Sequence, residues 1–116
     1  MINHLNKKNK PQIVNISEKK ITERIAKAEA LICFKASIFK KIQTMRTKKG
    51  NIENIAILAG IMGAKDTSKI IPLCHNIPIN HINIDITQIK KSNSLKVTSE
   101  VRTNAKTGVE MEALVA

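Results

Sequence analysis

Three short segments hold the side chains best suited to chemistry: Lys48-Lys49-Gly50, Leu73-Cys74-His75 and Glu110-Met111-Glu112. Lysines ahead of a helix can hold phosphate, an imidazole beside a thiol can move a proton or attack an electrophile, and carboxylates can act as acid and base. Each segment also has an ordinary structural reading. Lysines are usually solvated, and a Cys-His pair in a loop is commonly packing plus a surface imidazole. Thr107-Gly108-Val109-Glu110 matches a capping box, which gives Glu110 a structural task. Glu112 lies two positions further on, about 200° around a helix, so the spacing predicts that the two carboxylates do not face one pocket in the same way. Taken alone, the three segments describe a basic α+β domain and no particular reaction.

Composition bounds the partners. The chain has 116 residues, the length of one domain, with 42% hydrophobic and 25% charged residues, a globular balance. Lys+Arg 20 against Asp+Glu 9 gives a formal charge of +11, which favours phosphates, nucleic acid or acidic lipid, although a chain this rich in Lys, Asn and Ile also carries much of that charge as solvated surface. Phe34 and Phe39 are its only Phe, Tyr or Trp residues, too few for a single-strand nucleic-acid binder that works by base stacking. Cys33 and Cys74 lack CxxC spacing, so neither a zinc site nor a disulfide framework is expected. No stretch reaches the roughly 18 apolar residues of a membrane span. The polar start MINHLNKKNK lacks the apolar core of a secretory signal, and the expected compartment is the cytoplasm.

Residues 1–12 read as a mobile basic arm, and 13–116 as the domain. Residues 17–46 are ambiguous: Ile21, Ile25, Ala28 and Ile32 fall at helical spacing, while Ala28, Ala30 and Ile32 alternate as in a strand. Ser37 is a candidate N-cap for a short helix carrying Ile38, Phe39 and Ile42. The clearest helix spans 52–65; its apolar residues cover much of the circumference, which predicts deep burial. Ala56, Gly60, Gly63 and Ala64 form a small-residue stripe on which another backbone can sit. A loop over 66–80, broken by Pro72 and Pro78, follows. Ile82, Ile84 and Ile86 then mark one strand, Leu95, Val97 and Val101 a second, and Lys90-Lys91-Ser92-Asn93 the turn of an antiparallel hairpin. A last helix is expected from Val109.

The run from Lys49-Gly50 through Ala59-Gly60-Ile61-Met62, Ala64-Lys65 and Ile71-Pro72-Leu73-Cys74-His75, with Lys106-Thr107-Gly108-Val109-Glu110-Met111-Glu112-Ala113-Leu114, resembles the molybdenum cofactor biosynthesis protein C (MoaC) family. Val14-Asn15-Ile16-Ser17, Lys19, Thr22, Arg24, Ala26 and Ala28 are similar to that family's opening, so the likeness runs from about residue 12 onward. It implies a ferredoxin-like α+β subunit, an antiparallel sheet packed against helices with a strand near 24–34, assembled as a hexamer (a trimer of dimers) with sites between subunits. The implied enzyme is a lyase, cyclic pyranopterin monophosphate synthase. It converts 3′,8-cyclo-7,8-dihydro-GTP, a GTP-derived nucleotide triphosphate, with release of pyrophosphate. By the same likeness Lys49 is catalytic, Leu73, Cys74, His75, Met111 and Glu112 bind substrate, and Lys65 and Lys106 match family lysines of less defined role. No metal, cofactor, membrane or nucleic acid is implied.

Departures are Asn15 and Asn51 in place of Asp, Asn76 in place of Pro, and Asn104-Ala105 in place of Thr-Gly. The likeness also implies further family features beyond Ala116: the rest of the last helix with an Asp-Met-Cys-Lys-like stretch, and a final strand. A chain without that acid/base Asp and second Lys is expected to be unstable and to lack normal turnover. Two other readings stand beside this one: a non-catalytic partner of a full-length synthase, and a small basic nucleic-acid-binding protein.

Overall fold

A computed structural model describes residues 4–116. Its centre is a three-stranded antiparallel sheet in the order β1-β5-β4, formed by β1 (Thr22–Cys33), β4 (His81–Ile89) and β5 (Ser94–Ala105). A small hairpin of β2 (Arg46–Thr47) and β3 (Gly50–Asn51) stands apart from that sheet. The helices are α1 (Ala36–Ile42), α2 (Ile52–Lys65), α3 (Thr67–Ile70) and α4 (Glu110–Val115). This is the antiparallel sheet packed on helices that the ferredoxin-like expectation calls for.

The ambiguous segment is a strand. Residues of β1 with good helix propensity are held extended because β1 pairs along its whole length with β5, from Thr22↔Ala105 to Cys33↔Ser94; tertiary pairing overrides local preference. The small inward residues Ala26 and Ala28 lie opposite Val101 and Ser99 and leave room for α4. Val101, Val109 and Ala113 form one buried cluster, with Ile77, Ile79 and Ile82 packed on it. Phe39, Met45 and Leu95 form another, joined by Phe34, Ile42, Ile52 and Ile86. The two phenylalanine rings, with centroids 6.4 Å apart, are therefore spent on the core.

The expected hairpin is present. β4 and β5 pair from His81↔Arg102 to Ile89↔Ser94, and a 3₁₀ turn over Lys90–Ser92 joins them, with Asn93 in the left-handed region at φ 50°, where Asn is tolerated. The small-residue stripe of α2 does receive a backbone. A Cβ on Gly63 would lie 3.0 Å from the Val115 carbonyl oxygen, and one on Gly60 would lie 3.1 Å from the Ala116 carbonyl carbon. Ser99 Oγ donates to the Ala113 carbonyl at 2.6 Å and ties α4 to the sheet.

Four local expectations are corrected. Ser37 lies inside α1 rather than capping it; Lys35 occupies the cap position and makes no side-chain cap bond. Helix α2 is not deeply buried: Ile55, Leu58 and Met62 are exposed, because its apolar circumference exceeds the one face the sheet covers. The 66–80 loop contains the short helix α3, stopped by Pro72, whose ring cannot continue the hydrogen-bond ladder. The capping box does not form, since the cap position falls on Val109 with no side-chain cap bond. The two asparagines that stand where the likeness expects Asp both accept a backbone bond: Asn51 Oδ1 accepts from Asn54 N at 3.1 Å and caps α2, and Asn15 Oδ1 accepts from Ser17 N at 3.0 Å.

Candidate active site

Residues from three distant parts of the chain meet around a cavity of about 190 Å³. The loop after α3 contributes Leu73, Cys74 and His75; the β5–α4 connection contributes Thr107 and Gly108; the first turn of α4 contributes Glu110, Met111 and Glu112; and His4 completes the lining. The loop is set by local bonds, with Ile71 N donating to Thr67 O at 2.8 Å and Cys74 N to Ile71 O at 3.1 Å. Thr103 Oγ1 donates to the Pro78 carbonyl, fastening the far end of the loop to the central strand.

Glu112 is the buried charge of the site, 4% exposed. Cys74 Sγ lies 3.8 and 3.9 Å from its two carboxylate oxygens, and the thiol donates. Burial pushes the Glu112 carboxyl above the usual carboxylate range; its own backbone N–H and the Cys74 thiol pull it down, and the Glu110 charge pushes it up. Burial raises the Cys74 thiol as well, reinforced by the Glu112 and Glu110 charges. Cys74 is thus a protonated neighbour rather than a thiolate nucleophile. His75 Nε2 lies 2.7 Å from the Val14 carbonyl. A carbonyl only accepts, so Nε2 carries a proton and Nδ1 remains for a ligand.

The sequence pattern of the MoaC family matches residues 13–116. The chain belongs to the MoaC family. It is 47% identical to the cyclic pyranopterin monophosphate synthase of Helicobacter pylori (strain Shi470) over 115 residues, 99% of this chain and 73% of that protein. The synthase of the same name from Helicobacter hepaticus is 46% identical over 97% of this chain and 71% of its own length, and that from Campylobacter jejuni subsp. jejuni serotype O:6 is 43% identical over 97% and 72%.

Of the residues that the MoaC likeness singles out, Leu73, Cys74, His75, Met111 and Glu112 line this one cavity. The lysines are placed differently. Lys49 sits at the exposed turn of the β2–β3 hairpin, its backbone N bonded to Thr47 Oγ1 at 3.2 Å, and Gly50 closes that turn at φ +117°, where a side chain is strained. Lys65 lines a separate opening beside Ile61, Asn80 and His81. Lys106 precedes Thr107 in sequence but does not line the cavity; its ammonium lies 3.2 Å from the Ser17 carbonyl.

Glu110 and Glu112 do not face the cavity in the same way, Glu112 being buried and Glu110 exposed, yet both reach its lining. At the start of α4 the Glu110 carboxylate folds back over Gly108, where an added Cβ would strike it. His4 carries no sequence signal; it arrives through the folding of the N-terminal segment. Among the described residues, no group of three or more His, Cys, Asp or Glu side chains is arranged to hold a metal ion, and no helix is long and apolar enough to cross a membrane.

Proposed function

We propose that this chain acts as a cyclic pyranopterin monophosphate synthase of molybdenum cofactor biosynthesis, in the cytoplasm, converting 3′,8-cyclo-7,8-dihydro-GTP to cyclic pyranopterin monophosphate with release of pyrophosphate. The observation that carries the reading is the convergence of Leu73-Cys74-His75 with Met111-Glu112 on one cavity, in a chain 47% identical to a synthase of that name. The nucleic-acid reading is not favoured, because both phenylalanines are core residues and leave no stacking surface.

Forming the cyclic phosphate removes a proton from a hydroxyl as pyrophosphate departs, and rebuilding the ring system moves further protons. A carboxyl whose proton affinity is raised by burial suits that traffic near neutral pH. Glu112 shares in that proton traffic with the acid/base Asp that the family likeness implies, the Cys74 thiol holding its carboxylate in place. His75 Nδ1 orients the substrate. Lys49 neutralises the leaving pyrophosphate.

Within one subunit Lys49 is not at the cavity, so the reading includes assembly: a neighbouring copy brings its Lys49 to the cavity, in a hexamer built as a trimer of dimers. Support comes from apolar surface at the right places. Met111, at the cavity, and Leu114 are exposed on α4, as are Ile55, Leu58 and Met62 on α2. A partner covering α4 would also close the cavity against water.

The test is pyrophosphate release by the purified protein from the cyclised nucleotide. Release is expected to fall about 10²- to 10⁴-fold in Glu112→Gln, the usual range for losing a general acid or base, and substantially in His75→Ala. Release unaffected by both substitutions contradicts the assignment.

A further inference from the structure

We propose that the segment leading into β1 is a strap across the mouth of this cavity, and that His4 is a specificity-determining residue contacting a phosphoryl group of the nucleotide. The inference rests on the nucleotide reading of the cavity given above.

Two side chains pin the strap: His75, which lines the cavity, and Lys106, the residue before Thr107 of the lining. His75 Nε2 donates to the Val14 carbonyl at 2.7 Å, and Lys106 Nζ donates to the Ser17 carbonyl at 3.2 Å. On the N-terminal side of these anchors the chain doubles back. Leu5 bridges Pro11, Gln12 N donates to the His4 carbonyl at 2.8 Å, and Asn6 Oδ1 accepts from Lys8 N and Lys10 N at 2.9 and 3.0 Å. The fold-back delivers His4 to the cavity lining, beside His75 and the carboxylates of α4.

Charge gives the strap its purpose. Among the described residues that line the cavity are two carboxylates, Glu110 and Glu112, and no lysine or arginine. A triphosphate entering there meets like charge and needs donors from another element. The strap brings the His4 imidazole to the lining, and Lys7, Lys8 and Lys10 stand exposed on the same loop, raising the positive potential at the mouth. The matched family pattern begins at residue 13, so His4 lies outside it.

Calorimetric titration of the full chain with GTP and with guanosine, as stable probes of the phosphate and nucleoside parts, tests the inference on wild type, His4→Ala, His4→Gln, His75→Ala and Glu112→Gln. His4 is exposed and only its backbone carbonyl holds the loop, so these variants keep the fold. His4→Ala is expected to weaken GTP binding about tenfold, the worth of one hydrogen bond to a charged group, and to leave guanosine unchanged; His4→Gln, which keeps a donor, restores most of the loss. Unchanged GTP affinity in His4→Ala, or an equal loss for both probes, overturns the strap. If His75→Ala or Glu112→Gln alters GTP binding while His4→Ala does not, only the strap fails. If GTP does not bind, or no variant alters its binding, the nucleotide reading fails with it.

Discussion

The cavity and the β2–β3 hairpin divide the required chemistry between them. The cavity gathers two imidazoles, a thiol and two carboxylates and has no lysine in its described lining. The hairpin presents Lys48 and Lys49 at an exposed turn, held by Thr47 Oγ1 and shaped by Gly50. One region is equipped to move protons and ill suited to hold a polyanion; the other is suited to a polyanion and has nothing to move a proton. On the proposed reading, proton transfer is arranged within one chain, whereas charge neutralisation is brought to it from another element or another copy.

Mixing experiments strain that division hardest. Lys49→Ala and Glu112→Gln proteins, each expected to lose about a hundredfold or more of pyrophosphate release, should recover a substantial part of it when unfolded and refolded together. Recovery follows if a site takes Lys49 from one copy and Glu112 from another. Two proteins that stay inactive after demonstrated co-assembly would place both groups in one chain's site and erase the contrast.

A smaller effect is expected from the buried carboxyl of the cavity. Burial raises the Glu112 carboxyl, so between the ordinary carboxylate value and the raised one the folded state keeps a proton that the unfolded chain has lost. Stability therefore falls as pH rises through that window and carries no such penalty below it. Glu112→Gln should flatten this part of the stability–pH curve in denaturant titrations. A curve of unchanged slope would mean that burial does not perturb this carboxyl.

Much of the fold is legible in the sequence wherever side-chain period and turn chemistry agree. The Ile82-Ile84-Ile86 alternation, the Asn93 turn and the helix over 52–65 all belong to this class, as does the small-residue stripe that seats α4. Legibility fails where a long-range partner decides. The β1 segment is strand only because β5 lies alongside it, and the exposure of Leu58 and Met62 on α2 follows from how much of the helix the sheet can cover. In the site, the Leu73-Cys74-His75 and Met111-Glu112 segments are recognisable through family likeness, but their meeting is a product of topology. The joint presence of Glu110 and Glu112 at the cavity depends on a side chain folding back over Gly108, which residue spacing does not encode. His4 depends on the path of the N-terminal loop.

The two thiols offer the most direct measurement of whether this cavity is the nucleotide site. Cys33 is exposed at the end of β1, whereas Cys74 lines the cavity against Glu112. Alkylation followed by mass spectrometry, with and without the cyclised nucleotide triphosphate, should show the nucleotide slowing modification of Cys74 while Cys33 reacts at its unprotected rate. Equal reaction of Cys74 in the presence and absence of saturating nucleotide would contradict the account.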